Sequence, residues 1–205
     1  MTQTRSLIVI PIIHTKADFG SLQGKIPVDA EIAKMSQQYW DNILHYIQNL
    51  SVDFSQLRVY QDGLPDASVG QLTRIVNQAQ TPNYNVLRLL RKKGAHILGT
   101  ESERLLMEEY YSQHAIFNPV DEESYIDARL AYENRKWSLL EERDVYIAQR
   151  INNTLPEGGI GILFIGLGHQ VQILLDREIS VSEPEGLIGS SSEVLRKNCF
   201  GQERE

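Results

Sequence analysis

Hydrophobic residues follow two rhythms along this chain. From Arg5 to Ile13, isoleucine and valine succeed one another without polar alternation, the pattern of a strand covered on both faces. Residues 14–27 hold Gly20, Gly24, Pro27 and polar side chains, and read as a loop. Between Val28 and Leu50 the apolar positions Ile32, Met35, Tyr39, Ile43, Tyr46, Ile47 and Leu50 recur at steps of three and four, marking one face of a helix. Asp29 and Glu31 stand in its first turn, where negative charge is favoured. Leu57 to Gln61 is predicted as a second strand, closed by the turn Asp62-Gly63-Leu64-Pro65. Leu72, Ile75, Val76 and Ala79 open a helix that breaks at Thr81-Pro82-Asn83, because proline disfavours helix in the residue before it. A further helix runs through Leu87 and Leu90 to Gly94, with Arg91, Lys92 and Lys93 in its last turn.

Ala95 to Gly99 then reads as a third strand. Ser102 is predicted to cap a helix over roughly Glu103 to Gln113, with a break at Asn118-Pro119 beyond it. Asp121 to Thr154 reads as one long helix, or two with a kink, ended by Pro156-Glu157-Gly158-Gly159. Ile160 to Ile165 is the most hydrophobic strand. Val171 to Leu175 reads as a short helix, Ile179 to Ser182 as a last strand, and Ser192 to Asn198 as a terminal helical turn or two before a frayed tail from Gly201. Strands alternating with helices predict an α/β fold with a mainly parallel sheet flanked by helices. No linker divides the chain, so one domain is expected over 1–205, with 103–150 as a helical lid within it.

Composition narrows the function. The 205 residues, 41% hydrophobic and 23% charged, are those of an ordinary globular domain able to bury a core. Twenty basic against 27 acidic residues give a net charge of −7, which disfavours nucleic acid as a partner. The single cysteine, Cys199, excludes an intrachain disulfide and a cysteine-based zinc cluster. The apolar run Leu7 to Ile13 is far short of the roughly 18 residues that cross a bilayer. No small-residue cleavage site comes after it, so no membrane association and a cytoplasmic location are expected. Tyr110 and Tyr111 are candidates for a homodimer contact.

Candidate chemistry collects at strand ends. His14 follows the first strand, Asp62 the second, Glu101 the third, and His169 the fourth, in Gly166-Leu167-Gly168-His169. Open parallel sheets bind ligands outside the carboxyl ends of their strands. Four groups able to coordinate a metal or move protons thus fall where the fold predisposes a site. On the long helix, Leu140, Asp144, Ile147 and Ile151 share a face with Arg143 at its border. Charges beside an apolar stripe need partners. Arg143 is expected either in a rim salt bridge or above the strands, holding an anion or carboxylate. Asp18 is a candidate to join a metal shell or orient His14, or else stiffens its loop. His45, His96 and His114 do not cluster and are expected to be structural. Phosphate-loop, dinucleotide, G-x-S-x-G and HExxH patterns are absent.

Glu142-Arg143-Asp144-Val145-Tyr146-Ile147-Ala148 followed by Gly161 to His169 resembles the C-terminal half of the TraB/TIKI superfamily, relatives of the erythromycin-esterase-like and ChaN-like proteins. That group combines a strand ending in GxxH near the start, an acidic residue after a later strand, an arginine on a late helix, and a second GxxH. The second GxxH is intact at Gly166 to His169, whereas Pro11-Ile12-Ile13-His14 has proline in place of glycine. Arg143 matches the arginine, and Glu101 or Asp62 the acid.

The resemblance implies a metal-dependent hydrolase-like site cleaving a peptide or ester bond in a small-molecule or peptide substrate. His14, His169 and Glu101 would hold a divalent transition ion, a ligand set that suits Zn, Mn, Co or Fe. Asp62 or Glu101 would take a proton from the bound water, and Arg143 would stabilise the oxyanion. The alternative is a non-catalytic protein on the same scaffold, binding a small ligand, haem or a protein partner. A weaker third expectation is a phosphate or nucleotide ligand held by Arg143.

Overall fold

A computed structural model describes residues 4–12, 30–184 and 187. The elements are β1 (Arg5–Ile12), α1 (Ala30–Asn49), β2 (Arg58–Gln61), α2 (Val69–Gln78), α3 (Pro82–Lys92), β3 (His96–Ile97), α4 (Glu103–Phe117), α5 (Glu122–Thr154), β4 (Ile160–Gly166) and β5 (Ile179–Ser182). The five strands of the described residues form one sheet in the order β3-β2-β4-β1-β5, and every pairing is parallel. The expected α/β class therefore holds. His14, Asp18 and the rest of the predicted loop, the predicted turn from Ser192 to Asn198, Cys199 and the tail lie outside the described residues. No helix among the described residues is long and apolar enough to cross a membrane.

Crossover direction decides which helix covers which face. The chain moves one way across the sheet from β1 to β2 and on to β3, and α1, α2 and α3 share one face. There Tyr39, Ile43, Ile47, Val86 and Leu90 pack against Ile10, Val59, Ile162 and Phe164. It moves the other way from β3 to β4, and the second half of α5 lies on the opposite face. Ile147, Ala148 and Ile151 pack there with Leu7, Val9, Tyr60 and Leu163. A constant crossover hand requires this alternation. β1 and β4, buried on both faces, are the unalternating apolar runs of the sequence.

Proline inside β1 is accommodated by the length of its neighbour. Arg5 N–H donates to Glu178 O and Ser6 N–H to Gly159 O, so odd-numbered amides of β1 face β5 and even-numbered ones face β4. β5 pairs with β1 only from Arg5 to Ile8. The missing N–H of Pro11 therefore falls where that ladder has ended. Its carbonyl accepts the Tyr39 hydroxyl at 2.6 Å.

Several boundaries differ from expectation. β3 has two residues rather than five, because Thr100 and Glu101 turn away to donate their N–H groups to Leu64 O. Ser102 stands at the cap of α4 but makes no side-chain cap bond, and the helix runs on to Phe117. α5 is one helix of 33 residues, capped by a reciprocal Asp121–Ser124 pair. Val171–Leu174 is a single 3-10 turn. The segment expected as a lid comprises α4 and most of α5, and α5 is built into the core from Leu139 onward.

Gly99 sits where two segments cross. A β-carbon there would lie 2.4 Å from Pro65 O and 2.5 Å from Asp66 Cα, both backbone atoms. Gly99→Ala is expected to cost about 2 kcal/mol of unfolding free energy in denaturant titration. Gly70→Ala in α2, with nothing within 4 Å of the new carbon, should instead preserve or raise stability.

Candidate functional site

Asp62 continues the β2 ladder by donating its N–H to Phe164 O at 2.9 Å, which sets its side chain at the rim between β2 and β4. Gly63 comes next with φ +76°, a left-handed conformation that glycine adopts without strain. The resulting turn directs Gly63 N–H to Glu101 Oε1 at 2.8 Å. Glu101 is fully buried and bridges to Pro65. Thr100 Oγ1, beside it, accepts Gln61 N–H at 2.9 Å. Connections leave β2 towards β3 and β4 towards β5, in opposite directions, and such a switch point is where open parallel sheets bind ligands.

Arg143 reaches this switch point from α5. Its Nε donates to Glu101 Oε2 and its Nη2 to Glu101 Oε1, both at 2.7 Å, a two-pronged pair. Nη2 also donates to Asp62 Oδ1 at 2.9 Å. His169, held in a turn by its N–H to Gly166 O, directs Nδ1 to Asp144 Oδ1. Its Nε2 lies 3.4 Å from Asp62 Oδ2. Asp144 Oδ2 accepts Gln170 N–H at 2.8 Å, and Asp62 Oδ2 accepts Gly166 N–H at 3.0 Å. Every carboxylate oxygen of Asp62, Glu101 and Asp144 thus accepts a bond from this chain.

No family model, curated protein or solved structure matches the chain. Burial acts to lower the His169 pKa, but the charge of Asp62 and the bond to Asp144 outweigh it and push it up to about 10. The ring is an imidazolium at neutral pH, with both nitrogens donating. Complete burial pushes the Glu101 carboxyl up from its ordinary value. The bonds from Arg143 pull against that rise, and the charge of Asp62 adds to it. Arg143 loses by desolvation and gains more from Glu101 and Asp62, so it stays charged.

Four residues singled out in the sequence meet here: Asp62, Glu101, Arg143 and His169. The fifth, His14, lies outside the described residues, as does Asp18. His45, His96 and His114 stand apart on α1, β3 and α4. The role of Asp144 was missed. A carboxylate on an otherwise apolar helix face was the available signal, and its partner is His169, not Arg143. Gln61 was missed as well. It is 1% exposed, and neither atom of its amide has a hydrogen-bond partner.

Both the imidazolium and the orphaned amide bear on stability. A histidine whose folded pKa is raised contributes stability that is complete below its unfolded value of about 6.5 and is lost as pH rises towards 10. Wild-type unfolding free energy should therefore fall over that interval relative to His169→Gln, measured by denaturant titration at each pH. Gln61→Met removes two orphaned polar atoms at nearly constant shape and should be neutral or stabilising. A loss above about 1 kcal/mol would show that the amide has a partner in solution.

Proposed function

We propose that this chain is a cytoplasmic hydrolase of the TraB/TIKI type, acting on a peptide or ester bond at the switch point between β2 and β4. The observation that carries the reading is His169, held at Nδ1 by Asp144 and facing Asp62 with Nε2, beside Arg143. Asp62, beside the Arg143 guanidinium and the His169 ring, takes a proton from the attacking water. His169 Nε2–H gives its proton to the leaving group as the carbonyl bond breaks. Transfer from Asp62 to the adjacent imidazole then restores both groups. Arg143 Nη1 makes no hydrogen bond among the described residues and is the nitrogen left for the oxyanion.

The resemblance adds a divalent Zn, Mn, Co or Fe ion at His14, His169 and Glu101. The described part of that set does not fit an ion as it stands. Both Glu101 oxygens hold Arg143, and both His169 nitrogens face carboxylates. Among the described residues no three His, Cys, Asp or Glu side chains form a group open to a metal. The saturated carboxylates also favour a second reading, a non-catalytic protein that binds a small ligand or haem on this scaffold.

Hydrolysis of ester and peptide panels by purified protein, with metal content measured on the same samples, separates these readings. Asp62→Asn and His169→Gln should each lower the rate by about 10²- to 10⁴-fold. Absence of turnover in the wild type across both panels would overturn the hydrolase reading, and a Soret band would establish the haem form of the alternative. Stoichiometric metal that His169→Gln loses would bring the ion into the mechanism.

A further inference from the structure

β3 is the last strand on its side of the sheet, and among the described residues no strand pairs with its outer edge. His96 and Leu98 donate their N–H groups to Leu57 O and Val59 O, both at 2.9 Å. The N–H and C=O of Ile97, between them, therefore point away from the sheet. Beside this edge lies a cavity of about 210 Å³ between α2 and β3. Leu72 and Val76 of α2 and Ile97 of β3 give it an apolar wall, and Val69, which also lines it, is 80% exposed. Pockets that enclose a small molecule run to about 300 Å³ or more, so this one has room for a side chain or two. Its one permanent charge is Arg91. Arg91 Nη2 donates to Asn77 Oδ1 at 2.5 Å, while Nη1 is buried without a hydrogen-bond partner. A buried donor left unpaired is costly, and more so on a cation.

Charge along this part of the chain has one sign. Residues 67–100 hold five basic side chains and no acidic one, in a chain whose net charge is −7. Arg88 and Lys93 donate to backbone carbonyls and Arg91 to an amide, so their hydrogen bonds leave their charge uncompensated. The acids that flank the segment, Asp66 and Glu101, are paired with Arg150 and Arg143. We propose that the edge of β3 and this cavity bind an extended acidic segment of another protein by strand addition. A residue added opposite Ile97 exchanges main-chain hydrogen bonds with it and sends an aliphatic side chain to the face shared with Leu72 and Val76. The residue two positions away shares that face, where a glutamate or aspartate meets Arg91. A fatty carboxylate would satisfy Arg91 and leave the Ile97 main chain unmatched. A second copy meeting edge to edge would set this basic sector against itself. The cavity shares no lining residue with the Asp62–His169 site.

The probe is a capped peptide in which threonine alternates with glutamate, leucine and glutamate. Its leucine is central, and an acid lies two positions away on either side, whichever way the added strand runs. One counterpart carries lysine in place of both glutamates, and another is N-methylated at the leucine and its two neighbours. In calorimetric titration of the purified protein, the glutamate peptide should bind at least about tenfold more tightly than either counterpart. Arg91→Gln should remove most of its advantage over the lysine peptide, whereas Lys92→Gln, exposed and outside the cavity, should leave the affinity nearly unchanged. Hydrogen exchange at the Ile97 amide of the wild type should slow in the complex, a change that misfolding of a variant cannot mimic. No binding, equal affinity for the lysine or the methylated peptide, or unaltered exchange at Ile97 would overturn the proposal. So would an Ile97 amide already protected in a dimer without peptide, which would assign the edge to a second copy.

Discussion

The buried cation of Arg143 is the constraint around which the site is built. A guanidinium at the edge of a core is tolerated only if carboxylates take up its charge, and removing either member of such a pair leaves an uncompensated charge in low dielectric. Here Glu101, fully buried, takes two of its nitrogens, and Asp62 takes a further bond. These three residues belong to the turn after β2, the segment after β3, and α5 on the far face of the sheet. One ion-pair network thus ties together three segments far apart in sequence.

His169 repeats the arrangement on the neighbouring strand. Its ring lies between Asp144 and Asp62, so Asp62 is shared by both cations. The two networks meet at a single carboxylate at the carboxyl end of β2. Such coupling links the proton state of the imidazole to the placement of the guanidinium, a property suited to proton transfer and also to a rigid structural clasp. The backbone reinforces it, since Gly63, Gly166 and Gln170 all give N–H groups to these same acids.

Away from the rim the molecule divides by chemistry. The sheet and the helices on its two faces bury an apolar core in the ordinary way, whereas the hairpin of α4 and α5 beyond Leu105 and Leu139 has half-buried residues but no fully buried one. Isolated helices of this length draw little stability from propensity alone. Polar contacts such as Arg135 to Glu108, with the Asp121 cap, help to hold the two helices in register.

Rhythm and punctuation in the sequence determined the elements. The unbroken apolar runs of β1 and β4, the three-and-four stepping of α1, Pro82 at the start of α3 and Asn118-Pro119 after α4 are all local signals, and burial imposes them residue by residue. Strand ends marked by such signals were enough to place Asp62, Glu101 and His169 on one rim. Only the tertiary structure decided strand order, which inserts β4 between β2 and β1 and so brings Asp62 beside His169. Periodicity records which side of an element is covered and carries no information about its neighbour. For the same reason Asp144 showed in the sequence as a charge needing a partner, and the identity of that partner as His169 was fixed by packing across the sheet.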